Sequence, residues 1–183
     1  SLSYESYEGS KVYKSINAGD DWTNVTGSGL SGENITNIEY HRGSNGGVYL
    51  GTRKNVYYKN DAMTEWILFN NGLPLSTYST QLVPYYKDGK LKNGTNRSVW
   101  EVDFYETANP SAQIAADRLT INCMNDTVRF VDHSAISSFN PTWAWSFPGG
   151  TPSSSNEQNP EVVYSEEGIY DVYLTITDGY GFD

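Results

Sequence analysis

Over its first hundred positions the 183-residue chain repeats itself with a period of 43–44 residues. Val12-Tyr13 recurs as Val56-Tyr57 and again as Val99-Trp100, and Trp22 recurs as Trp66. Gly29-Leu30 returns as Gly72-Leu73, and Gly51-Thr52 as Gly94-Thr95. Five matches in one order, within one residue of a common spacing, mark an internal repeat. A repeat of this kind buries its apolar side only against its neighbours, so it constrains the whole architecture. Within each period the sequence alternates short strand-like runs with turn residues. The first period predicts strands at 10–14, 22–25, 35–40 and 48–52, with turns at Gly19-Asp20, 27–32 and 42–47. The second predicts them at 55–59, 65–69, 79–86 and 90–92.

About four strands per ~40–45 residues is the rhythm of a β-propeller blade, a twisted sheet that buries both faces between adjacent blades. Composition agrees with an all-β chain. Five Trp, 15 Tyr and 6 Phe make 14 % of the residues, which suits half-buried strands and excludes a disordered polymer. No apolar run reaches the ~18 residues that a membrane-spanning helix needs. The net charge of −10 is uneven: residues 1–106 carry −2, whereas 107–183 carry −8 with Arg118 and Arg129 as their only basic side chains. Such a surface repels phosphate backbones and anionic lipid, so neither nucleic acid nor direct membrane insertion is expected. The lone Cys123 excludes an internal disulfide and a cysteine-based zinc site.

Ser15-Ile16-Asn17-Ala18-Gly19-Asp20-Asp21-Trp22 resembles an Asp-box, the S-x-D-x-G-x-T-W turn of sialidase-, sortilin- and xyloglucanase-type propellers (BNR repeats). Asn17 stands where that pattern has Asp, and Asp21 where it has Thr. In the second period Asp61 and Trp66 keep the spacing, but Met63 replaces the glycine. Gly94-Thr95-Asn96-Arg97-Ser98-Val99-Trp100-Glu101 is similar to the closing strand of the last blade in exported Bacteroidetes propellers. The resemblance implies two terminal four-stranded blades over residues 1–108. It also implies a structural role for Asn17, Gly19, Trp22, Asp61 and Trp66, because these turns lie away from the axial pocket of such proteins. Trp22 and Trp66 are expected at equivalent places in adjacent sheets.

Residues 109–114 read as a linker, and a new strand rhythm follows in 115–183. Leu119, Ile121 and Cys123 alternate with polar neighbours, as do Val128 and Phe130. Trp143, Trp145 and Phe147 share one face of a strand, and Tyr170, Val172, Leu174 and Ile176 share one face of another, with Tyr173 pointing the other way. Together with Pro148-Gly149-Gly150, Asn159-Pro160 and Gly168-Ile169-Tyr170, these runs resemble a PKD domain, an immunoglobulin-like sandwich of bacterial and archaeal surface proteins. Trp143, Trp145 and Tyr170 are then structural residues. The resemblance also implies one more strand after the Asp178–Gly181 turn, and two blades alone would leave apolar faces uncovered. Both features predict that the chain is part of a longer polypeptide, whose remainder or neighbouring chains are its partners, together with glycans or surface proteins.

Chemistry-bearing residues are sparse. His41 and His133 fall in different modules, and both read as exposed turn residues. Adjacent Asp132, His133 and Ser134 point to alternating sides of a strand and cannot form a relay. Arg42, Arg53 and Arg97 do not occupy equivalent repeat positions. Two blades cannot enclose the paired carboxylates of a glycosidase. No catalytic or cofactor-binding residue is assigned. Calcium is the one metal considered, through oxygen ligands of Asp126, Asp132 and Asp171. Asp126-Thr127-Val128 matches a short Bacteroidetes O-glycosylation pattern with Thr127 as acceptor. The leading expectation is a non-catalytic segment of a secreted or cell-surface protein, acting in adhesion, glycan or protein binding, or as a spacer. The alternatives are the C-terminal portion of a propeller glycoside hydrolase with its catalytic residues upstream, and a cargo of the type IX secretion pathway.

Overall fold

The computed structural model describes residues 2–4, 12–121 and 125–180. It divides into two units, one of 1–85 with 89–108 and one of 86–88 with 109–183. Both are built from short antiparallel strands, without any α-helix among the described residues.

In the first unit, β1 (Leu2–Tyr4), β2 (Val12–Lys14) and β3 (Thr23–Asn24) form a three-stranded meander. β4 (Ile35–Tyr40), β5 (Val48–Thr52), β6 (Val56–Lys59) and β7 (Ile67–Leu68) form a four-stranded one. β8 (Ser79–Tyr85), β9 (Lys90–Thr95) and β10 (Val99–Asp103) form a third with three strands. This corrects the expectation of two four-stranded sheets coinciding with the sequence periods. The four-stranded sheet takes β4 and β5 from the first period and β6 and β7 from the second, so each sheet straddles a period boundary. Antiparallel meanders pair consecutive strands, and the tight Thr52–Asn55 turn joins β5 to β6 across the boundary.

The central sheet is covered on both faces. All five residues of β5 are buried, the pattern of a strand without a solvent side. Val48 and Leu50 pack with Val12, Leu30, Ile35 and Trp66 in one cluster. Tyr49 joins Val56, Tyr58, Phe69, Leu82 and Leu91 in the other. The far face of the third sheet is different. Its cross-strand rows are Tyr85, Lys90 and Asp103, then Val83, Lys92 and Glu101. Lys90 and Asp103 form an ion pair at 2.6 Å, and the Lys92 ammonium sits 3.9 Å from the Tyr85 ring centre.

The second unit is a sandwich. One sheet has the order β11 (Ile114–Ala116), β12 (Thr127–Asp132), β16 (Glu161–Tyr164), β14 (Gly150–Thr151). The other has the order β15 (Ser154–Ser155), β13 (Thr142–Ser146), β17 (Tyr173–Thr177). Val128, Phe130, Trp145, Phe147, Val162 and Tyr164 fill the space between them. Two expectations are corrected. Residues 119–121 form no strand, and Leu119 is 97 % exposed; Cys123 lies outside the described residues. The strand predicted over 170–177 begins only at Tyr173, because Tyr170 is drawn aside, stacking on Tyr164 and donating its hydroxyl to Glu166 O at 3.1 Å. The stretch 109–114, read as a linker, is tied into this unit: Ser111 pairs with Ala135, and Ile114 opens β11.

Candidate functional site

The turn after β2 is closed by its own side chains. Ser15 Oγ accepts the Gly19 N–H at 2.8 Å and donates to Asn17 Oδ1 at 3.0 Å. Asn17 Oδ1 also accepts the Asp21 N–H at 2.9 Å, while its Nδ2 donates to Asp21 Oδ2 at 2.9 Å. Trp22 Nε1 donates to Gly19 O at 2.9 Å, and the chain turns through Ala18 and Gly19 with φ of 57° and 106°. The two departures from the Asp-box pattern therefore answer each other: an amide replaces one carboxylate, and a carboxylate replaces the hydroxyl it faces. Asn17→Asp alone should cost about 1 kcal/mol by opposing two carboxylates. Asn17→Asp combined with Asp21→Thr should regain most of that loss, and urea unfolding of the four corners of the cycle checks it. Additive losses would contradict the pairing.

The second turn differs. The Asp61 carboxylate takes no part in closing the turn and forms an ion pair with Lys14 at 2.5 Å. Asn60 replaces it, accepting the Ala62 N–H at 3.1 Å, and the Lys59 ammonium donates to Met63 O. Trp66 is 6 % exposed and donates its Nε1 to Val25 O at 2.8 Å, whereas Trp22 is 43 % exposed. The repeat survives more faithfully elsewhere. Thr52 Oγ1 accepts the N–H groups of Lys54 and Asn55 and donates to Asn55 O. Thr95 Oγ1 does the same with Arg97, Ser98 and Ser98 O, 43 residues later. Arg53 and Arg97 occupy successive positions of this shared turn and are both exposed.

Two carboxylates that sequence reasoning missed hold the first unit together. Glu33 accepts hydrogen bonds from Thr52 Oγ1, Asn55 Nδ2 and Tyr57 Oη at 2.8–3.0 Å. Burial, reinforced by the Glu33 carboxylate, pushes the Tyr57 phenol up to about 12. Glu106 accepts from Tyr58 Oη at 2.6 Å, Asn60 Nδ2 at 2.9 Å and the Asn45 N–H at 3.1 Å. Burial and that carboxylate likewise raise Tyr58. Their partners lie 19–61 residues away in sequence, so no local spacing could have marked them. Each carboxylate is engaged by three donors, an arrangement that ties loops to strands.

His41 is not an exposed turn residue, which corrects the sequence reading. It is fully buried, with its ring 4.3 Å from Phe104 and 5.5 Å from Tyr49. Burial lowers its pKa to about 4, against a smaller upward pull from Glu106. Between pH 6.5 and 4 the unfolded chain therefore binds a proton that the folded chain does not. Stability should fall as pH drops through this window, by about 3 kcal/mol at most. Urea unfolding at pH 7.5 and 5.0 should show the loss in the native chain and a much smaller one in His41→Phe; equal losses in both would contradict it. His133 is exposed.

In the sandwich, Trp143 donates its Nε1 to Asp132 Oδ2 at 2.8 Å, and Gln158 donates to the same oxygen at 3.2 Å. Burial opposes the charge on Asp132, but these donors and Ser134 outweigh it and hold the carboxyl below the usual range. Asp126 is engaged by Arg118 at 2.6 Å, and Asp171 is exposed. The three calcium candidates are not brought together: no group of three His, Cys, Asp or Glu suited to a metal occurs among the described residues. Thr127 opens β12 half-buried, its N–H bonded to Asp126 Oδ1 at 2.9 Å. The turn after Phe147 needs its glycine. Gly149 has φ of 77°, and a Cβ there would strike the Tyr170 ring. Tyr173, on the opposite side of β17 from Ile176, is 58 % exposed.

Residues 107–183 match the family model described as PKD domain, and the second unit carries that domain. No curated protein matches the chain. No helix among the described residues is long and apolar enough to cross a membrane.

Proposed function

We propose that the chain is a non-catalytic segment of a larger extracellular or cell-surface protein, in which the PKD sandwich serves as an adhesion or spacer module. The match over residues 107–183 carries the reading. The side chains support it. Glu33 and Glu106 are each bound by three donors, Asp126 by Arg118, and Asp132 by Trp143 and Gln158. Carboxylates engaged in this way tie loops to strands, a structural rather than a proton-transfer role.

For the first unit we propose propeller-type blades. Support comes from the antiparallel meanders, the burial of both faces of the central sheet, and the threonine turn repeated at 43 residues. Export by the type IX pathway is the route we attach to this reading, on the likeness of 94–101 to exported propellers.

The purified chain should turn over neither sialosides nor β-glucans. Turnover abolished by substituting a single carboxylate would overturn the non-catalytic reading and favour the hydrolase alternative.

A further inference from the structure

The repeat of the first unit extends to how the outer edge of a strand is covered. β3 pairs with β2 through Tyr13–Asn24 and Lys14–Thr23, and β7 pairs with β6 through Tyr57–Leu68 and Tyr58–Ile67, each residue 44 positions on. The contacts beyond these pairs repeat as well. Val12 O accepts the Val25 N–H and Val56 O the Phe69 N–H, both at 2.8 Å. The Val12 N–H donates to Thr26 Oγ1 and the Val56 N–H to Asn70 Oδ1, both at 3.0 Å. A tryptophan opens each covering segment, so 22–26 and 66–70 share the pattern Trp-x-x-(Val/Phe)-(Thr/Asn). β10 is the third member of this series. It pairs with β9 as β6 pairs with β5, Val99–Gly94 answering Val56–Gly51, which turns the Val99 N–H and C=O away from β9. On that side β10 ends its sheet. Val99 is 69 % exposed, against 0 % for Val12 and 2 % for Val56. A Cβ on Gly29 would lie 2.9 Å from Trp66 O, but one on its repeat counterpart Gly72 would meet only the Val102 side chain, at 3.8 Å.

We propose that the open edge of β10 takes up an extended segment of a partner polypeptide carrying this same pattern, Trp-x-x-(Val/Phe)-(Thr/Asn). The inference goes beyond the adhesion or spacer reading of the sandwich and stands on the strand pairings of the first unit alone. An exposed strand edge is a template for a further strand, whose main-chain hydrogen bonds give affinity while its side chains give specificity. The two covering segments show what each position does. The N–H of the Val/Phe position binds Val99 O, and the threonine hydroxyl or asparagine carbonyl that follows accepts the Val99 N–H. The two middle residues lie opposite Glu101 and Trp100. The tryptophan enters beside Gly72 as Trp66 lies beside Gly29, and its indole N–H meets Phe69 O, the counterpart of Val25 O. A second copy of the chain is not the occupant, because both of its segments with this pattern already cover β2 and β6.

The test is binding of a synthetic peptide of residues 64–71 to the whole chain, followed by fluorescence anisotropy and amide hydrogen exchange. The peptide should bind and slow exchange at Val99 and Glu101. Trp66→Ala in the peptide should weaken binding about tenfold, and Asn70→Ala about fivefold. Val99→Pro in the chain removes an outward N–H, which an edge strand tolerates, and should weaken binding about fivefold with unchanged circular dichroism. Should that variant not fold, the exchange pattern of the native chain and the two peptide changes still decide. No binding overturns the proposal. So does slowed exchange confined to β2 or β6, which would mean that the peptide displaces β3 or β7, and so does binding that survives both peptide changes. A dimer in light scattering whose Val99 amide is protected without peptide also overturns it, assigning the edge to a second copy.

Discussion

Replacing Trp145 by alanine should destabilise the sandwich by about 3–5 kcal/mol, the range for large aromatic truncations in a packed core. Trp145 is 2 % exposed and stacks on Phe147 at 5.6 Å and 12°. Phe130 closes the cluster from the facing sheet at 5.8 Å, and the indole N–H is bonded to Glu157 O at 2.9 Å. Alanine removes the ring that joins the two sheets and leaves that carbonyl without its donor, so transfer, cavity and hydrogen-bond losses act together. Guanidinium unfolding followed by near-UV circular dichroism measures it. A loss below about 1 kcal/mol would mean that the indole is not part of the core.

The repeated tryptophans should respond unequally. Trp66→Ala is expected to cost about 3–5 kcal/mol and Trp22→Ala about 1 kcal/mol, although both hold the same place in the sequence period. Trp66 is packed between sheets, with Val12, Leu30 and Leu50 in its cluster and Val25 O accepting its N–H. Trp22 donates its indole N–H within the Gly19 turn and is 43 % exposed. Equal losses, measured on the two variants by the same denaturant series, would contradict the difference in burial.

The strand inventory of the first unit was legible because its repeat is written in local residues: a valine opening β2, β6 and β10, and a threonine closing the turn before β6 and β10. The grouping into sheets was not, since a period of 43–44 residues has no natural starting point and strand pairing chooses one. In the sandwich, Trp145 and Ile176 showed their burial through alternation. Alternation also suggested a strand at Leu119 and Ile121, where no partner pairs with it. Glu33 and Glu106 depend on partners 19–61 residues away, and the burial of His41 on the distant Phe104 ring. Such contacts leave no local pattern.

The proposed function requires the chain to work outside the cell as an adhesion or spacer module. Intact cells of the native source, treated with a non-penetrating protease and probed with antibody against the sandwich, test this most directly. The account predicts that the antibody signal is lost from intact cells while a cytoplasmic marker survives. A signal fully protected until the cells are broken would contradict it.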